Sequence, residues 1–147
     1  MAGFMIYMVV MAIVLAFWEV QIEGKNGWAT ELPCWRKETG WILRFSGGRP
    51  LTGYHIGLVA FLLLVIHFPF LFVPWTLGKE IFVIGFLVAL FLFEDFLWFA
   101  INPHYGLRKF KRGEIWWHKN WLGPVPVLYW WMLPLAGALI YLGQLWW

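Results

Sequence analysis

Charge is scarce in this chain of 147 residues, where Asp, Glu, Lys and Arg make up only 13%, against about 25% in an ordinary soluble domain. That scarcity excludes a globular domain with a solvated charged surface. Cys34 is the only cysteine, which excludes an intramolecular disulfide and any multi-cysteine zinc or iron–sulfur centre. The apolar stretches lack the alternating pattern of a transmembrane barrel, and no internal repeat or low-complexity linker divides the chain. The basic residues lie between apolar runs rather than on a solvated face, so nucleic acid is not expected as a partner.

What the sequence does have is apolar and aromatic bulk: 62% hydrophobic and 22% aromatic residues. A chain so apolar satisfies its backbone in lipid as helices, each needing about 20 residues to cross the hydrocarbon core. Four stretches qualify, at about residues 3–22, 54–76, 81–101 and 125–147. The expectation is an all-α polytopic integral membrane protein, a single membrane domain over residues 1–147 with structured interfacial loops. The first stretch reads as a permanent anchor. No Lys or Arg precedes it, and Trp18 and Glu19 stand where a signal peptide would carry small residues.

The loops differ sharply in charge. Residues 23–53 carry Lys25, Arg36, Lys37, Arg44 and Arg49, and residues 102–124 carry Arg108, Lys109, Lys111, Arg112 and Lys119, leaving only Lys79 elsewhere. Four spans put these two loops on one side. The positive-inside bias makes that side the cytoplasm, with both termini outside a cell (inner) membrane. Indole rings prefer the water–lipid boundary, so Trp75, Trp146 and Trp147 mark the outer face, and Trp18, Trp116, Trp117, Trp121, Trp130 and Trp131 the inner one. Pro69, Pro74, Pro126 and Pro134 are expected to bend or shorten their helices.

Ionisable groups within spans are costly and mark function. Glu94 lies about 12 Å above the helix end at Asn102, at about 1.5 Å per residue. Its neighbour Asp95 points about 100° away around the helix, so both face a polar interior only if that helix is packed on two sides. Glu19 and Glu23 share one face at the end of the first span. His55 opens the second span, and His118 lies in the last loop. Convergence of these groups beneath Glu94 would suit a divalent metal (zinc, iron or manganese) held by Glu19, Glu23, His55, Glu94 and His118, or acid–base work by Glu94 and Asp95. No HxxxH or ExxH spacing supports ligation, and interhelical hydrogen bonding is the structural alternative. His67, deep in the second span, sits within an axial offset of about 7 Å from Glu94 if the spans are antiparallel neighbours. One bridging water would then make a proton relay.

The paired acids do not complete the motif of the glutamate-dependent membrane proteases, in which adjacent glutamates precede an arginine. Phe99 stands at that position, and no FxxxH or HxxxN follows. The segment after Asn102 has a lipid-facing logic of its own. Arg108, Lys109, Lys111 and Arg112 lie at headgroup level, and residues 116–121 read as an amphipathic, membrane-lying segment. In the first loop, Ser46-Gly47-Gly48-Arg49 offers backbone amides and a guanidinium to a lipid phosphate.

These features favour a small membrane enzyme acting on a lipid or other apolar substrate from the cytoplasmic side. A non-catalytic subunit or assembly factor, working as a homo-oligomer or within a larger membrane complex, is the alternative. A proton-coupled transporter is the third reading. Membrane lipids are expected partners in each.

Overall fold

Four helices long and apolar enough to cross a membrane dominate the computed structural model, which describes residues 2–41, 43, 46 and 48–146. Arg44, Gly47 and Trp147, used above for charge, loop and belt, lie outside the described residues. The helices are α1 (Ala2–Glu23), α2 (Gly53–His67), α3 (Leu77–Ile101) and α4 (Val127–Leu145).

Local chemistry sets the boundaries. Thr52 and Thr76 cap α2 and α3, each hydroxyl accepting from the backbone N–H three residues on, at His55 and Lys79. The Thr76 cap starts α3 at Leu77, earlier than the expected Ile81. Pro69 cannot continue the α-helical ladder, so α2 stops at His67 and one 3₁₀ turn (Phe68–Leu71) follows. The second apolar stretch is therefore helical over a shorter length than residues 54–76. Asn102 closes α3 ahead of Pro103. Gly123, at φ +63°, turns the chain so that Trp121–Leu122 pairs antiparallel with Val125–Pro126, delaying α4 to Val127. Helix α4 is not shortened at Pro134 and runs through it to Leu145.

Helix α3 is the centre of the packing and lies against both α1 and α4. Small residues make the second contact close: a Cβ on Gly85 would stand 2.8 Å from the backbone N of Ile140, and one on Gly143 2.7 Å from Phe82 Cα. Met8, Ala12 and Leu15 of α1 meet Phe86, Ala89 and Leu90 of α3 in the core, to which α2 adds the buried Leu58 and Leu62, with Tyr54 and Ile66 packed at its edge. Large apolar side chains such as Ile6, Leu64, Leu71 and Phe72 remain exposed on the outside, a surface that water disfavours and lipid accepts.

Both long loops fold back on the helix ends. In the first, Arg36–Lys37 pairs antiparallel with Leu51–Thr52. In the second, Ile115, Trp117 and His118 are buried, and Trp117 packs on Trp98, Phe99 and Tyr105. Within residues 116–121 the chain forms turns rather than a helix, with Trp117 and His118 buried and Trp116, Lys119 and Asn120 exposed. Ring stacking pulls Trp117 off the expected inner belt and under the bundle, while Trp116 stays exposed.

Candidate functional site

The C-terminal ends of α1 and α3 and the N-terminal ends of α2 and α4 surround a cavity of about 360 Å³. Glu19, Glu23, His55, Glu94, Asp95 and His118 all line it. The fold gathers these six residues around one space.

The packing of α3 on two sides explains how adjacent acids share one space. Glu94 turns to α1, where its carboxyl interacts with that of Glu19. Asp95 turns to α4 and the second loop: its Oδ2 lies 3.0 Å from His118 Nε2 and accepts a short hydrogen bond from the Tyr129 hydroxyl. An Nε2–H tautomer of His118 therefore donates to Asp95 and leaves Nδ1 as a proton acceptor. Glu94 is 94% buried, its exposure being 6%, yet its Oε1 has no hydrogen-bond partner among the described residues. The buried indole N–H of Trp98 is likewise unpaired. Buried polar atoms without partners are uncommon in native structures, and these two belong to residues lining the same cavity.

At the α1–α2 side, Glu23 Oε1 accepts from the backbone N–H of Ala29 at 2.5 Å and stands 3.6 Å from His55 Nε2. This bond holds a turn in which Trp28 and Ala29 both adopt φ 50°, a left-handed conformation uncommon outside glycine. The turn lays the Trp28 ring on His55, centroids 4.5 Å apart, and donates the Trp28 indole N–H to Pro50 O. His55 Nδ1 is within 2.6 Å of Thr52 Oγ1, so the residue that caps α2 also orients the imidazole. The wall facing the acids is apolar, formed by Leu58 and Val59 of α2 and Leu128 and Met132 of α4.

The five residues expected as metal ligands fall into separate contacts around this cavity, Glu19 with Glu94, Glu23 with His55, and His118 with Asp95. No group of three His, Cys, Asp or Glu side chains among the described residues is arranged to hold a metal ion.

His67 lies elsewhere. Its Nε2 is 3.1 Å from Glu80 Oε1 and its Nδ1 2.7 Å from Leu63 O, while Trp75 donates to the other Glu80 oxygen. The early end of α2 at His67 and the early start of α3 bring His67 to the first turn of α3, at the far end from Glu94. The His67–Glu94 relay is corrected accordingly: the acid beside His67 is Glu80.

The basic cluster also divides. Arg108, Lys109, Lys111 and Arg112 are exposed; Lys109 donates to His104 O and lies over the Tyr105 ring, and Lys111 approaches Glu114 at 3.9 Å. None of the four lines the cavity, whereas Arg49 does. Its guanidinium stacks on Trp28, 4.5 Å from the ring centroid, and its Nε donates to Ser46 O. Burial pulls Arg49 below its ordinary pKa and the Asp95 carboxylate partly restores it, though a guanidinium remains charged throughout the physiological range.

Sequence reasoning missed Tyr129 and the part played by Trp28. Tyr129 adjoins Trp130 and Trp131 of the expected inner belt and Trp28 lies in the first loop, and nothing in residue spacing separates a belt tyrosine from one that donates to a carboxylate. No protein-family model, curated protein or solved structure matches the chain.

Proposed function

We propose that this chain is an integral protein of the cell (inner) membrane whose cavity performs acid–base chemistry on the polar head of a lipid or other apolar substrate. The supporting observation is the composition of one cavity, where the ionisable side chains of Glu19, Glu23, His55, Glu94, Asp95 and His118 share the space with the apolar side chains Leu58, Val59, Leu128 and Met132 of α2 and α4. That asymmetry fits an amphiphile, with its chain against Leu58, Val59, Leu128 and Met132 and its head among the carboxyl and imidazole groups. Asp95, held by Tyr129, orients His118, the arrangement of a positioned general base. Glu94, with one oxygen unpaired, is the second proton-handling group.

The orientation that goes with this reading puts both termini outside and the two basic loops in the cytoplasm, supported by the one-sided Lys and Arg distribution. The cavity then faces the cytoplasmic leaflet. If a zinc, iron or manganese ion were bound, Glu19, Glu23, His55, Glu94 and His118 are the residues that would hold it, and it would supply Lewis-acid activation of water in a metal-assisted version of the same reading.

The test compares lipid extracts of cells expressing the wild type, Glu94→Gln or His118→Gln by mass spectrometry, with purified protein photocrosslinked to a bifunctional lipid. Expected are a lipid species altered by the wild type alone and crosslinks at Leu58, Val59, Leu128 or Met132. Crosslinks confined to the outer faces, with identical lipid profiles, would remove the assignment. Stoichiometric metal in the purified wild type, lost in Glu94→Ala and His55→Ala, would select the metal-assisted version.

A further inference from the structure

A second cavity, of about 320 Å³, adjoins the first and shares Ser46, Arg49, Trp117, His118 and Leu128 with it, adding Lys119 and Asn120 among others. Arg49 and His118 therefore stand between an acid-lined chamber and one that carries a second cation. No carboxylate lies within ion-pair distance of Arg49 among the described residues, and none of them accepts from its Nη atoms. Asp95 is the carboxylate whose charge reaches it, but Asp95 is already engaged by His118 and Tyr129. A partly buried guanidinium whose one counter-charge acts at a distance keeps its Nη donors open to an anion that approaches directly.

The guanidinium is also fixed in place. Its Nε donates to Ser46 O at 2.6 Å, the Ser46 hydroxyl donates back to Arg49 O at 2.6 Å, and the Trp28 ring lies beneath its plane. Gly48, at φ +83°, leaves room for the Lys119 ammonium against the same loop, in the space a side chain at position 48 would take. A planar fork and a mobile point charge facing one space match an anion with several oxygens and more than one charge, hence a phosphate rather than a carboxylate.

We infer that Arg49 and Lys119 hold a phosphate-bearing headgroup at the boundary of the two cavities and present the adjoining part of the ligand to His118. This rests on the reading of the first cavity as the substrate site and names the substrate class for it. The apolar wall at Leu58, Val59, Leu128 and Met132 favours a lipid phosphate over a soluble one. The exposed 108–112 cluster, which lines neither cavity, has no part in this selection.

The full-length protein in phosphatidylcholine nanodiscs doped with phosphatidic acid provides the test, with retained lipids read by native mass spectrometry. The wild type is expected to retain phosphatidic acid preferentially. Arg49→Gln should lose that preference by roughly tenfold or more, Lys119→Gln by less, and Arg49→Lys, which keeps the charge, should preserve part of it. An Arg108→Gln/Lys109→Gln double variant should match the wild type. Inorganic phosphate is the second arm. If it alone quenches tryptophan fluorescence in the wild type but not in Arg49→Gln, and no lipid is retained, the anion site stands with a soluble source and the amphiphile reading fails. Retention of neutral lipid equally by the wild type and Arg49→Gln would overturn the phosphate assignment while leaving the cavity a lipid site. Binding of neither phosphatidic acid nor phosphate would overturn it as well.

Discussion

His118 Nε2 stands 3.0 Å from Asp95 Oδ2, joining the loop that follows α3 to a carboxylate on that helix 23 residues back along the chain. The His118 side chain is 3% exposed and that of Asp95 27%, so the pair closes one side of the cavity and also anchors residues 115–118 under the bundle. Hydrogen bonds to charged groups contribute about 1.5–3 kcal/mol. His118→Ala should lower stability by about that amount and raise amide hydrogen exchange across residues 115–118 more than elsewhere. Unchanged exchange in that segment would mean that Trp117 packing alone holds the loop.

Asn102 makes the other bridge between helix ends. It is buried, its Nδ2 donates to Gly24 O after α1, and its Oδ1 accepts from the backbone N–H of His104, both at 2.9 Å. Asn102→Ala removes both bonds, to the half-buried Gly24 and the exposed His104, at a cost of about 0.5–1.5 kcal/mol for each. Thermal unfolding in detergent, followed by near-UV circular dichroism, should show the loss. Asn102→Asp keeps the His104 bond but sets a carboxylate against Gly24 O, so it should be no milder than alanine.

His67 and Glu94 separate two mechanisms. With His67 paired to Glu80 and absent from the cavity wall, His67→Gln should leave any lipid conversion by the protein unchanged, whereas Glu94→Gln should abolish it with the fold retained. Equal loss in both variants, each with wild-type unfolding behaviour, would restore a proton path linking the two ends of the bundle.

The single cysteine tests the orientation. Cys34 lies half-exposed in the first long loop, and Val73 is exposed in the turn between α2 and α3. A membrane-impermeant maleimide should label Cys34 only after permeabilisation. In a Cys34→Ser background, Val73→Cys should react in intact cells. The opposite pattern would invert the topology and turn the cavity toward the outside.

How much of this was legible in the sequence differs by level. The four helices were, because an apolar run long enough for the hydrocarbon core leaves its backbone few alternatives. Their ends were less so. Thr76 captured the start of α3 and Pro69 cut α2 short, and single-residue effects of this kind are hidden within a continuous apolar run. At the site, the divergence of Glu94 and Asp95 follows from helix geometry alone. The partners of Asp95 do not, since His118 and Tyr129 arrive from a loop and a helix whose approach is set by packing. Arg49 read as a phosphate contact in a glycine-rich turn, but its place in the cavity wall did not show, because spacing carries no information on which guanidinium lies over an indole.

The α3–α4 contact offers a stability test with its own control. A Cβ on Gly143 would stand 2.7 Å from Phe82 Cα, backbone that cannot swing aside as a flexible side chain can, whereas a Cβ on Gly137, in the same helix, meets nothing within 4 Å. Gly143→Ala must therefore push α4 from α3, which carries the catalytic candidates Glu94 and Asp95, at a cost of about 1–3 kcal/mol for an overpacked contact. Gly137→Ala gains helix propensity without a clash, so it should be neutral or stabilise by up to about 1 kcal/mol. Unfolding of both variants in mixed detergent micelles measures the difference directly. Because Tyr129 reaches Asp95 from the first turn of α4, Gly143→Ala should also loosen the Asp95–Tyr129 bond, visible as faster exchange at the N-terminal turn of α4. Equal stability of the two alanine variants would mean that the helices do not approach as closely as the glycine contacts require.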